Sequence, residues 1–454
     1  MPLALLAIGS YLDKNKYDVI IIDGRLEDDP VTKIFSLLPN AICFGVTVLT
    51  GDPIKNALAV SRAVKNEFPN IPIIWGGWHP SLFPAETLAE KSIDIVVKGQ
   101  GEITFSELLE RFENKQPLSN LKGICYKEND ELMINMDRHL TDINSFPPFN
   151  YDLIDVKGYK KLSGKNQIDY ISSQGCRFRC AFCADPAMYK RGWYGYSSER
   201  IGNEIELLWK KYKFDHVHFQ DETFFTNKKR VQEVAREFIN RKLPITWFGT
   251  MRADQGVRLD DDTWKLCKSS GLKKIMIGME AGTQAMLDWM QKDIKLEHIF
   301  ETAEKCVLHN IGIIFSVIVG FPHESAESVF ETLAVVKRLR KMSDHFSVSI
   351  YYYKPYPGNK IADELSAEGY QFPTGLEAWS NFDYVNSGKS DWLSDEQIKR
   401  IELFKFYNEL AWSKKRTGKL IFQQIAKWRC EKNNYKFPIE KKIIRFIKPA
   451  PKVS

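Results

Sequence analysis

The residues with the most chemical content are three cysteines. Cys176, Cys180 and Cys183 stand in the run SSQGCRFRCAFCADP as C-x3-C-x2-C. Three thiolates on a tight loop can hold three irons of a [4Fe–4S] cluster and leave the fourth iron without a protein ligand. A metal position left open is where chemistry happens, whereas a fully ligated site is structural. Zinc is the competing reading, but it takes a fourth Cys or His, and none stands close on either side of the run. Cys43, Cys125, Cys267, Cys306 and Cys430 are scattered, several of them in apolar runs where a free thiol packs as a small hydrophobe.

The cysteines follow a strand-like segment, IDYISSQG at 168–175, so the loop falls at the carboxyl end of a strand, where barrel active sites sit. Further apolar runs read as strands at 216–220, 245–251, 274–280, 312–321 and 346–357, with amphipathic helices such as 198–212 and 229–242 between them. Six β/α units fall short of the roughly 250 residues of a closed eight-stranded barrel, so a partial barrel is expected. Upstream, YDVIIID, AICFGVTVL, IPIIWGG and IDIVVKG read as buried strands, alternating with helical spacing at 54–68 and 102–112. That pattern is a doubly wound α/β domain. Residues 121–135 read as a hairpin turning at Glu128, Asn129 and Asp130, and the Pro-rich SFPPFNYDL as a linker. The expected division is 1–136, a linker at 137–165, a barrel at 166–360 and a helical region at 361–454.

Composition agrees with a folded protein and excludes several classes. The 454 residues are 44% hydrophobic and 27% charged, which argues against a largely disordered chain. Eight cysteines are too few for a disulfide scaffold of this length. The longest apolar stretch, 311–321, is about half of the ~20 residues a membrane span needs, and the N-terminus has no basic n-region, so a cytoplasmic protein is expected. Residues 411–454 carry 13 Lys/Arg against 2 Asp/Glu, which concentrates the basic charge of the chain in its tail.

The cysteine spacing, with Phe182 before the last cysteine and a partial barrel behind it, resembles the radical S-adenosylmethionine (SAM) superfamily. The resemblance implies that the open iron is chelated by SAM, which a reducing electron cleaves to methionine and a 5′-deoxyadenosyl radical. Gly278-Met279-Glu280-Ala281-Gly282 resembles the family's G-x-E-x-G segment, whose acid contacts SAM; the plain alternative is a solvated acid at a strand end. Gly320-Phe321-Pro322-His323-Glu324-Ser325 resembles the G-x-P-x-E-[TS] turn near the adenine, where Gly320 permits close approach and Pro322 stiffens the turn. Arg252 stands where the family can pair a base with the SAM carboxylate, against an ordinary ion pair. Tyr356-Pro357-Gly358 resembles the P-x-P-G turn near the end of the core.

Residues 3–115 are similar to the cobalamin-binding domain that precedes this core in one large subgroup. The resemblance implies corrinoid contacts at Thr47, Val48, Leu49, Gly76, Gly77, His79, Gly99 and Glu102, in loops at the carboxyl ends of parallel strands. For His79 a capping or core role is the alternative. The family's first strand normally precedes the segment aligned with residues 2–12, so a central strand is expected to be missing here. Together these features imply a cobalamin-dependent C-methyltransferase acting on an unactivated carbon of a small-molecule or lipid substrate. An electron donor such as flavodoxin or ferredoxin is implied, and no nucleic acid is expected. The alternatives are a radical oxidation or cyclisation of the anaerobic Mg-protoporphyrin ester cyclase type, or a non-catalytic or electron-transfer Fe–S protein. In the tail, Leu420, Ile421, Ile425 and Trp428 share one helical face. That face reads as covering the barrel, with peripheral membrane contact as a second reading.

Overall fold

A computed structural model describes residues 1–382, 390–412, 420–441 and 443. The chain divides into two compact units, Met1–Thr250 with Pro355–Tyr384, and Met251–Lys354 with Val385–Ser454.

The first unit opens with a five-stranded sheet in sequential order. Strands β1 (Phe44–Thr47), β2 (Ile73–Gly76) and β3 (Ile95–Val97) are parallel, and β4 (Ile124–Glu128) and β5 (Glu131–Ile134) continue the sheet antiparallel. The helix Pro53–Glu67 covers one face with Ile54, Ala57, Leu58, Ser61 and Val64, a helical spacing that turns one stripe to the core. Trp75 is fully buried, and its indole N–H donates to Ser61 Oγ at 2.9 Å, so the large ring is buried without an orphaned donor. The hairpin turns at Asn129 and Asp130, both left-handed, which these two residue types tolerate.

YDVIIID does not become a strand. Residues 17–23 lie outside every ladder, β1 forms the edge of the sheet, and Val19 and Ile21 instead pack against Gly9 of the helix Leu3–Tyr11. An apolar run becomes a strand only where a neighbour takes up its backbone groups. A second departure from expectation lies at 355–382. The helix Leu376–Trp379 belongs to the core of this first unit, where Leu376, Trp379 and Phe382 pack with Trp75 and Leu88. Arg62 pairs there with Glu377.

Downstream in the same unit, β6 (Gln167–Tyr170) begins the barrel-type sheet. The single strand expected at 168–175 is broken: residues 173–175 form β7 (Ser173–Gly175), antiparallel to β8 (Trp193–Gly195). The parallel ladder continues through β9 (His216–Phe219) and β10 (Thr246–Met251). Ser197 and Asn227 cap the intervening helices, Ser198–Tyr212 and Lys228–Asn240.

The second unit holds β11 (Leu272–Glu280), β12 (Gly312–Val319) and β13 (Phe346–Tyr352), all parallel, with the helices Leu296–Leu308 and Ala326–Met342 between them. The alternation of strand and helix from β6 to β13 is the β/α series expected. The tail contributes helices Asp395–Ala411 and Leu420–Lys432. Here the helical face is the reverse of the one expected to cover the barrel. Gln423, Ala426, Arg429 and Cys430 are buried, while Ile421 is 75% and Trp428 49% exposed. Arg429 reaches the inside because Glu440 pairs with it. The basic residues at 413–419, and the end of the chain from 444, lie outside the described residues. Among the described residues no helix is long and apolar enough to cross a membrane.

Candidate functional site

The cysteine loop is the closed end of a small hairpin. β7 and β8 pair with Gly175 opposite Trp193, so residues 176–192 form the connection. Gly175 has φ +92°, and a Cβ there would stand 2.3 Å from the carbonyl oxygen of Gly192, so only glycine fits immediately before Cys176. Within the loop the N–H of Cys183 donates to the carbonyl of Cys180 at 3.1 Å. Cys176, Cys180 and Cys183 are half-buried, and none of them is in a disulfide. Burial pushes Cys176 up to about 11 and, with the negative charge of Asp185, pushes Cys183 well above the ordinary thiol range. Thiols in such a setting stay protonated until a metal displaces the proton. Three soft sulfur donors on one loop fit a thiolate-held cluster with an open iron. Among the described residues, no three His, Cys, Asp or Glu side chains are already gathered as a metal-ligand set.

The ends of β1, β2 and β3 in the same unit carry the residues the resemblance assigns to the corrinoid. Val48 is buried and ties the loops together: its N–H donates to Gly76 O at 2.8 Å, and its carbonyl accepts from the His79 N–H at 3.2 Å. Gly77 has φ +98°, and a Cβ there would meet the Val48 carbonyl at 2.7 Å. Gly99, at φ +68°, has open space where a Cβ would be, and Thr47 and Leu49 are exposed at the end of β1. Bare backbone and open space at the carboxyl edge of a parallel sheet fit a large flat ligand. Glu102 is buried at the start of the helix Glu102–Glu113, where burial raises its pKa although backbone N–H groups of the first turn bond it.

His79 is placed otherwise. Its ring is fully buried between Phe83 and Trp379, with Nδ1 3.2 Å from Thr50 Oγ1. Burial lowers its pKa to about 4, so the ring is neutral. The packing matches the core alternative raised for this residue.

The strand-end loops and the cysteine hairpin are bonded to each other. Gln100, in the loop before Glu102, donates from Nε2 to Gln174 Oε1 at 2.7 Å, two residues before Cys176. The turn at Gly358 packs against Leu82 and Ala187, and the N–H of Ile361 donates to Ala181, between the second and third cysteines.

The second unit holds the other motif residues. β11 ends in a bulge between Gly278 and Glu280, and Glu280 takes a left-handed φ of +60°. The bulge folds its carboxylate back over Gly278, where a Cβ would stand 2.2 Å from Oε1. Glu280 is buried and not solvated; Lys292 Nζ donates to Oε1 at 2.8 Å, and both side chains are inaccessible. Lys292 was not apparent as a site residue, because its pairing depends on a turn twelve residues on. Arg252 is also buried, bonded through Nε to Asp254 at 3.0 Å and through its guanidinium to the carbonyl of Lys292. Arg252, Lys292, Glu280 and Gly278 thus form one group. At the end of β12, Glu324 accepts the N–H groups of Gly320 and Phe321, at 2.7 and 3.2 Å, which closes the turn around the buried Pro322. Gly320 has φ +79°, with Ser390 and Leu393 where a Cβ would be.

The chain carries a radical SAM domain and, ahead of it, a B12-binding domain. Residues 170–336 match the Radical SAM superfamily model and residues 1–109 match the B12 binding domain model. It is similar to an uncharacterised methyltransferase of Pyrococcus horikoshii, 29% identical over 409 residues covering 88% of this chain and 85% of the relative. It also resembles the anaerobic magnesium-protoporphyrin IX monomethyl ester cyclase of Synechocystis sp., 27% identical over 68% of this chain and 62% of the relative. The fold is shared with the cobalamin-dependent SAM radical enzyme OxsB bound to aqua-cobalamin and SAM, at TM-score 0.76 and 17% identity over 95% of this chain and 69% of that one.

Proposed function

We propose that the protein is a cobalamin-dependent radical SAM methyltransferase that acts on an unactivated carbon of a small-molecule or lipid substrate. The observation that carries the reading is the direct bond between the two cofactor regions, Gln100 to Gln174, which ties the open strand ends to the three-thiol hairpin. When bound, the cluster and SAM supply a 5′-deoxyadenosyl radical and methylated cobalamin supplies the methyl group. Of the chain's own residues, Cys176, Cys180 and Cys183 hold the cluster, with Phe182 beside the last thiol. Glu280, Arg252, Gly278, Gly320 and Pro322 hold SAM. Thr47, Val48, Leu49, Gly76, Gly77, Gly99 and Glu102 seat the corrinoid. The electron comes from a flavodoxin- or ferredoxin-class donor in the cytoplasm. Cyclisation of the protoporphyrin ester type is the second reading, favoured by the Synechocystis relative.

The test is anaerobic reconstitution of the full chain with iron, sulfide and cobalamin, followed by reduction in the presence of SAM carrying a deuterated methyl group. 5′-Deoxyadenosine together with retained corrinoid bearing the deuterated methyl is expected. Deoxyadenosine without any methyl transfer to the corrinoid favours the cyclase reading. An intact cluster that yields no deoxyadenosine leaves a non-catalytic Fe–S protein.

Membrane contact is a finer part of the same proposal. Leu420, Ile421 and Trp428 are exposed on the helix Leu420–Lys432, with Lys432 and Lys436 exposed nearby. Sedimentation with anionic vesicles checks it: Ile421→Asp is expected to release the protein, and equal binding by this variant removes the membrane from the reading.

A further inference from the structure

Two adjacent carboxylates at the end of β9, Asp221 and Glu222, both act on the cysteine hairpin, and neither was apparent from the sequence. Asp221 is buried and accepts the N–H of Ser172 at 2.7 Å and the hydroxyls of Ser172 and Ser173 at 2.6 Å each. These bonds turn the chain out of β6 and start β7. Arg230, also buried, donates to the carbonyl and hydroxyl of Ser172 at 2.7 and 2.6 Å and to the carbonyl of Tyr196 at 2.9 Å. The two flanks of the hairpin are therefore fixed to one guanidinium.

Glu222 reaches further along the loop and holds it on each side of the three cysteines. One oxygen accepts the N–H of Gly175 at 3.3 Å, immediately before Cys176. The other accepts the Tyr189 hydroxyl at 2.8 Å, beyond Cys183. The Tyr189 ring in turn meets the ring of Trp78, the first residue of the short helix after β2, edge-on at 5.9 Å. A ligand loop with free ends must be ordered when its metal binds, at a cost in affinity; a loop fastened beforehand avoids most of that cost.

We propose that Glu222 is a positioning residue for the iron–sulfur cluster: it clasps the cysteine-bearing connection at Gly175 and at Tyr189, one on each side of the three cysteines, and sets the three thiolates in place before iron arrives. The inference rests on the assignment of the three cysteines to the cluster. Partners that orient metal ligands in this way cost on the order of ten- to hundredfold in metal affinity when removed.

The test compares the full-length chain with Glu222→Ala, Glu222→Gln and Tyr189→Phe. The cluster-free proteins are followed by hydrogen–deuterium exchange over residues 173–192. The reconstituted proteins are followed by iron and sulfide per chain and by the electron paramagnetic resonance signal of the reduced cluster with and without SAM. Glu222→Ala is expected to exchange faster in the loop, to lose cluster affinity on the order of tenfold or more, and to blunt the SAM-induced change in the signal. Glu222→Gln keeps one acceptor oxygen, enough for Tyr189 or for the Gly175 N–H but not for both, and is expected to fall between Glu222→Ala and the wild type in each readout. Wild-type exchange and cluster affinity in Glu222→Ala overturn the inference alone. If that variant does not fold, Tyr189→Phe with wild-type exchange and signal overturns it. A wild-type chain that takes up no cluster overturns the cysteine assignment and the inference with it.

Discussion

The cysteine hairpin and the Glu280 turn, the two regions proposed to meet the cluster and SAM, are held in opposite ways. The frame of the hairpin that carries the three thiols is fastened from outside by Asp221, Glu222 and Arg230. Glu280 is held by its own neighbourhood: a bulge, a left-handed backbone, the bare Gly278 beneath its carboxylate and the Lys292 ammonium. A side chain whose frame is fastened by other residues is expected to be replaceable with little effect on the fold, whereas a buried, paired carboxylate is part of the fold that positions it.

The largest expected effect separates the two directly. Changing Cys176, Cys180 or Cys183 to Ala should abolish cluster retention and SAM cleavage, while urea unfolding of the cluster-free chain shifts by only about 1 kcal/mol. Iron content and the unfolding midpoint, measured on the same samples, check this. A large loss of stability in the cluster-free chain would erase the contrast.

Lys292→Met should behave in the opposite way, because it leaves Glu280 buried without its cation. Removing one partner of a buried pair costs about 3–5 kcal/mol. Chemical unfolding should show that loss before any cofactor is added, and Lys292→Arg should restore most of it.

His79 extends the comparison to the corrinoid domain, since it is a ligand-type residue packed as core. Its folded pKa of about 4 lies below the ordinary value of 6.5. The unfolded chain therefore binds the extra proton first, and stability falls as the pH drops from about 6.5 to 4, by at most roughly 3 kcal/mol. It is fully present above pH 6.5. His79→Phe should flatten that acid limb in unfolding curves taken from pH 7 to 4; an unchanged slope would place the acid sensitivity elsewhere.

Gly278→Ala is the smallest and most pointed change. Its Cβ occupies the space of the Glu280 carboxylate, so SAM affinity should weaken by about tenfold, about 1.4 kcal/mol of binding, with stability altered by about 1 kcal/mol. Equilibrium dialysis with SAM alongside thermal melting measures both. A loss of stability as large as that of Lys292→Met would show that the carboxylate cannot move independently of its pair.

Much of the architecture could be read before any coordinates. The helix at 198–212 and the strands near 216, 245, 274, 312 and 346 stand where apolar periodicity places them, because each buries a continuous stripe or run of its own residues. The segments that failed depend on partners. YDVIIID has the composition of a strand and no ladder to join. The face of the helix Leu420–Lys432 was inverted because Arg429 is buried by an ion pair eleven residues away in sequence, which hydrophobicity does not register.

The same division runs through the candidate site. Ligand spacing is a local property: three cysteines within one loop and glycines at strand ends state their chemistry in the order of the residues, because the geometry they need spans only a few bonds. Pairing is not local. Lys292 meets Glu280 across a turn, Gln100 meets Gln174 across 74 positions, and Glu222 reaches back 47 residues to Gly175. The order of the residues states which chemistry the chain is expected to carry. The tertiary structure decided which buried charges are neutralised and what fastens the reactive loop, since both depend on distances that only the folded chain sets.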